Sequence, residues 1–120
     1  MAERAARPTP TPTPTVDVSD LGRFAEPSLH ILVSLADGPK HGYAIMADVE
    51  AVSGTPMGPG TLYGALARLE QRGLIVALEP EDRRRPYRLT AGGEATVRAQ
   101  LERLAAFAAA GLARADRTAG

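Results

Sequence analysis

Apolar residues are thin up to about residue 20, gather at Leu21–Phe24, and from there recur in runs that change period along the chain. Pro27 suits a first helical position, and the SLHILVSLA stretch behind it is apolar nearly all round, which predicts a short buried helix ending at Asp37-Gly38-Pro39. A second helix is predicted from Lys40 or His41, with Ile45, Met46, Val49 and Val52 on one face, stopped by Ser53 and Gly54. A third opens at Pro59-Gly60-Thr61, repeats Leu62, Leu66 and Leu69 at helical spacing, and ends at Gly73 as a left-handed cap. The LIVAL run that follows reads as a strand, Glu79 to Arg85 as a turn, and Tyr87-Arg88-Leu89 as its antiparallel partner, the only sheet signal in the chain. Thr90 fits the N-cap of a final long helix, with Glu94 in its first turn. Along that helix Val97, Leu101, Leu104, Ala108, Gly111 and Ala115 step by four and three. Such a seam suits pairing with a second chain, and equally packing on its own domain.

Composition narrows the chemistry. At 120 residues with 44% hydrophobic and 23% charged, the chain suits one ordinary globular domain. No apolar run is long enough for a membrane span, and the N-terminus lacks the apolar stretch of a secretory signal, so a cytoplasmic protein is expected. Residues 8–15 read PTPTPTPT, which favours extended polyproline II and a disordered leader. With no cysteine, two isolated histidines, no phosphate-cradling glycine loop and no metal-ligand spacing, neither an enzyme nor a cofactor or metal site is expected. Basic and acidic residues balance at 14 each, so bulk charge alone indicates no polyanionic partner; the basic side chains instead concentrate at Arg83, Arg84, Arg85 and Arg88.

Three short helices, a hairpin and a long helix are the element order of a winged helix-turn-helix. The fold expected is thus mainly α with a small β-hairpin: a Thr/Pro-rich tail over 1–20, a winged helix-turn-helix over 21–90, a C-terminal helix over 91–115 and a flexible end over 116–120. The stretches ILVSLADGPKHGYAIMADVE, GPGTLYGALARLEQRGLI and RRRPYRLTAGGE resemble the PadR-like family of bacterial transcriptional regulators. The likeness is most specific in His41-Gly42-Tyr43, in Pro59-Gly60-Thr61-Leu62-Tyr63 and in Tyr87-Arg88-Leu89-Thr90, and it covers about residues 28–112. The chain departs from the family at Gly64, where members often carry proline.

The resemblance implies a repressor of double-stranded DNA that dimerises through the C-terminal helix, here Val97, Leu101, Leu104 and Ala108, and lets go when a small effector arrives. If Leu62, Leu66 and Leu69 face the core, Thr61, Tyr63, Gly64 and Arg68 face outward toward a major groove. Pro59, Gly60 and Thr61 open the helix, whose free N–H groups suit a phosphate. Lys40, His41 and Tyr43 at the second helix, and Arg83, Arg84 and Arg85 at the wing tip, complete the expected DNA-contacting set. For Tyr63 and Tyr43 the alternative is packing, for Lys40, His41 and the wing arginines a solvated surface. The competing function is a winged-helix protein-interaction module that never touches nucleic acid.

Overall fold

The computed structural model describes residues 25–119; the Thr/Pro-rich stretch and Leu21–Phe24 lie outside the described residues. Helix α1 spans Ala25–Leu35. It begins two residues ahead of Pro27, which falls within the first turn, where a missing N–H forfeits no intrahelical bond. Strand β1 (Lys40–His41) precedes helix α2 (Gly42–Ser53) and helix α3 (Pro59–Gln71). Strands β2 (Ile75–Ala77) and β3 (Pro86–Leu89) lead into helix α4 (Ala91–Ala119).

The sheet corrects one expectation. It has three strands, not two, in the order β1-β3-β2, all antiparallel. Lys40 pairs with Tyr87 and His41 with Pro86, so the residues expected to begin α2 instead close the sheet's second edge. Helix α2 starts only at Gly42, with His41 as its N-cap.

Each element reaches the core on the face its apolar spacing marks. Ile31, Leu32 and Leu35 of α1, Ile45 and Val49 of α2, and Leu62, Leu66 and Leu69 of α3 bury together with Leu74, Ile75, Leu89 and Val97. Val52, assigned above to the same face of α2, is instead 67% exposed, because the helix runs past the core before Gly54 turns it with φ 77°.

The end of α3 is tied to the start of α4. Gly73 adopts φ 77°, its N–H donates to Glu70 O at 3.0 Å, and the Leu74 N–H reaches Leu69 O at 3.0 Å, the paired bonds of a Schellman cap. Thr90 Oγ1 donates to Gly73 O at 2.6 Å and accepts from the Gly93 N–H at 3.0 Å, so one hydroxyl caps α4 and anchors it to α3. Gly93 lies so close to the Leu74 carbonyl that a Cβ there would collide with backbone.

Beyond its first turns α4 leaves the domain. Thr96 and Val97 are buried, but from Arg103 through Thr118 every side chain is exposed. The helix continues four residues past the expected boundary at 115. A 29-residue helix is roughly 43 Å long, which accounts for the 55 Å long axis of a molecule only 25 Å thick.

Candidate nucleic-acid interface

Helix α3 starts without a side-chain cap. Gly58 occupies the N-cap position and makes no side-chain bond, and Pro59 has no N–H to satisfy, so the first-turn N–H groups of Gly60 and Thr61 have no intrahelical acceptor. Leu62, Ala65, Leu66 and Leu69 turn inward; Thr61, Tyr63, Ala67 and Arg68 are exposed and Gly64 partly so. A helix N-terminus with open donors and a polar, small-residue outer face results.

The wing folds over the same side. Glu81 and Arg84 exchange backbone hydrogen bonds at 2.6 and 2.8 Å across Asp82 and Arg83, which both have positive φ, 49° and 66°. Two left-handed central residues make this a type I′ hairpin turn, the type whose twist matches antiparallel strands. Arg83, Arg84 and Arg85 are thereby lifted to the wing's exposed end, with Arg85 Nη1 braced on Leu78 O at 2.8 Å.

Between α3 and the wing lies a cleft of about 400 Å³, lined by His41, Gly42, Tyr43, Tyr63, Tyr87 and the three wing arginines. All three tyrosines of the chain meet there. Gly42 and Tyr87 line the cleft without belonging to the expected DNA-contacting set: Gly42 is there because its contact with Tyr63 is made across two helices, Tyr87 because strand alternation alone does not say which edge of the sheet faces α3. Burial, together with the nearby Glu70 carboxylate and Tyr63 phenol, raises the pKa of the Tyr87 hydroxyl above that of an ordinary phenol.

His41 is poised between two donors. Its Nδ1 accepts from the Ala44 N–H at 3.3 Å, and its Nε2 lies 3.2 Å from Arg84 Nη1. A neutral imidazole has one acceptor nitrogen, so the tautomer whose Nδ1 accepts from Ala44 carries its proton on Nε2 and does not accept from Arg84, and the two bonds are alternatives.

Two expected residues sit elsewhere. Lys40 turns inward: its ammonium donates to Ser34 O and Asp37, and lies 3.9 Å from Asp48, which itself accepts from Ser34 Oγ at 2.7 Å. This pairing lowers the Asp37 pKa, by hydrogen bond first and charge second. A lysine so committed ties α1, β1 and α2 together. Val97, expected on the dimer seam, is 5% exposed in the core of its own domain. Leu101, Leu104 and Ala108 are exposed, and Leu112, one turn on, extends their stripe.

Among the described residues no cluster of histidine and acidic side chains could hold a metal ion, and no helix is long and apolar enough to cross a membrane.

Known proteins share this arrangement. The chain is 54% identical over 71 residues to an uncharacterized 37.1 kDa protein in transposon TN4556 of Streptomyces fradiae, a match covering 59% of this chain and 21% of that protein. Among solved structures, a transcriptional regulator from Clostridium thermocellum superposes with a TM-score of 0.63 at 30% identity, over 74% of this chain and 91% of the other. The RosR-S1 complex structure, of RosR from H. salinarum, superposes with a TM-score of 0.66 at 30% identity, over 86% and 89% of the two chains. A PadR family regulator from Clostridium difficile, 24% identical, has the same fold at a TM-score of 0.64, over 69% and 91%. Residues 31–99 match the transcriptional regulator PadR-like family, and that span holds all of α2, α3 and the wing. The chain therefore belongs to the PadR-like family of transcriptional regulators and has the winged-helix fold.

Proposed function

We propose that the protein is a repressor that reads an inverted-repeat operator as a homodimer, acting in the cytoplasm on the nucleoid and leaving DNA when a small effector arrives. One observation carries the reading: the outer face of α3, the start of α2 and the wing arginines converge on a single side of the domain. On this reading Pro59, Gly60 and Thr61 present backbone donors to a phosphate, while Tyr63 and Arg68 meet base edges, with Gly64 permitting close approach. His41, Tyr43, Arg83, Arg84 and Arg85 hold the flanking backbone.

The dimer is supported by the far part of α4. Leu101, Leu104, Ala108 and Leu112 form an apolar stripe that the described residues leave uncovered beyond the groove at its base. To read an inverted repeat, the twofold pair has to set its two α3 helices about one DNA turn apart. That groove, about 300 Å³ and lined by Leu29, Val33, Val49, Val52, Leu101 and Leu104, adjoins the stripe. An effector seated there would act on the spacing of the two reading helices.

The test is fluorescence anisotropy with duplex DNA from immediately upstream of the gene, against a scrambled duplex, at two salt concentrations. Selective, salt-sensitive binding is expected. Arg84→Ala with Arg85→Ala weakens both duplexes alike and flattens the log–log salt slope by about 0.9 for each phosphate that is no longer neutralised. Tyr63→Ala weakens the selected duplex more than the scrambled one. Equal affinity for both duplexes in the wild type would sink the proposal.

A further inference from the structure

Gly42 is the buried first residue of α2, yet its backbone does not call for glycine: it is absent from the positions with positive φ. Alanine is ordinarily the better residue at a helical site. What excludes a side chain is α3. A Cβ on Gly42 would stand 2.6 Å from Tyr63 Oη, 3.1 Å from Tyr63 Cζ and 3.2 Å from Leu62 Cδ2. The two nearest atoms are the end of a side chain that is 53% exposed and can rotate outward, whereas Leu62 is wholly buried. A methyl group at position 42 is therefore relieved chiefly by displacing the phenol, with Leu62 yielding a few tenths of an ångström.

We infer that Gly42 is a positioning residue for DNA reading: its missing side chain is the seat that holds the Tyr63 ring against the first turn of α2, facing the wing arginines. The inference rests on the proposed role of Tyr63 at the bases. A ring seated in the free protein has less rotamer freedom to lose on binding, so the seat strengthens the contact Tyr63 makes to its preferred bases. Phosphate contacts from the α3 N-terminus and the wing do not pass through Gly42. Loss of the seat thus lowers selectivity and spares non-specific affinity.

The full chain is compared as wild type, Gly42→Ala, Tyr63→Phe, Tyr63→Ala and the Gly42→Ala/Tyr63→Phe double variant. The probes are a duplex that the wild-type protein enriches from a random-sequence pool and a shuffled duplex of equal length. Because the chain has three tyrosines, ring-labelled tyrosine NMR follows Tyr63 as one of three signals without DNA. Gly42→Ala is expected to keep its melting temperature, to shift the Tyr63 signal, and to lose about tenfold in selectivity. Its affinity for the shuffled duplex should not change. Removing the hydroxyl in the double variant takes away the 2.6 Å conflict and returns selectivity to that of Tyr63→Phe alone.

Three results overturn the inference. If Tyr63→Ala loses selectivity while Gly42→Ala retains both selectivity and the wild-type Tyr63 signal, the assignment of Gly42 fails and the role of Tyr63 stands. If Tyr63→Ala keeps full selectivity, the role of Tyr63 falls and takes Gly42 with it. If Gly42→Ala melts early and Tyr63→Phe does not restore it, the glycine serves the Leu62 contact in the core.

Discussion

Helix α3 and the far half of α4 both expose a face to solvent, and the two faces differ in kind. The outer side of α3 carries a hydroxyl, a phenol, a guanidinium and small residues, backed by a fully buried leucine row. The far half of α4 exposes Leu104, Phe107 and Leu112 among alanines and has no core of its own behind it. A polar, hydrogen-bonding face on a rigid support suits a polar, charged partner; an aliphatic stripe on an unsupported helix suits another apolar surface. Exposure alone therefore says little about function. The chemistry of the exposed atoms, and what holds them, separates a reading surface from an assembly surface.

The sharpest way to break the comparison is to attack the support of α3. Leu66→Ala removes a 2% exposed side chain from the centre of the leucine row and is expected to cost about 2–5 kcal/mol, read as an early thermal melt with DNA binding abolished in parallel. A variant that melts normally would mean that α3 is held by something other than this core. Next in size is Leu101→Asp with Leu104→Asp. Both side chains are more than 40% exposed, so folding should survive while the protein elutes as a monomer. Operator affinity should fall by a hundredfold or more, because a monomer holds one half-site without the second one tethered beside it. Unchanged mass in light scattering would remove α4 from the dimer interface.

The smallest effect concerns pH. Burial, ahead of Glu70 and Tyr63, raises the folded-state pKa of Tyr87, so the neutral phenol is the form the fold favours. Its contribution is complete below the unfolded value near pH 10 and disappears as pH rises through the folded value. Tyr87→Phe should accordingly flatten the loss of thermal stability above about pH 10 and leave the neutral range nearly unchanged; an identical alkaline slope in both chains would rule Tyr87 out as its source.

Much of this layout can be read from the chain. Spacing of Leu62, Leu66 and Leu69 places the core face of α3, Gly73 marks its end, and Thr90 marks the start of α4, because each depends on residues within a turn or two. Strand β1 could not be read the same way. Two residues make no alternation, and Lys40-His41 is a strand only because Pro86 and Tyr87 lie beside it in space, 45 or more residues away. The type I′ turn at Asp82-Arg83 also lacks the glycine that usually announces it.

By itself, the sequence determined the order and faces of the helices, the position of the hairpin and the family, since periodicity, caps and short motifs are local properties. Only the tertiary structure decided which residues are already engaged within the domain. Lys40 is drawn inward by Asp37, Asp48 and a backbone carbonyl, Val97 falls on the domain's side of α4 rather than the open side, and Gly42 finds the Tyr63 phenol across a helix boundary. A charge or a gap acquires its role from whatever stands within a few ångströms, and those neighbours come from distant parts of the chain.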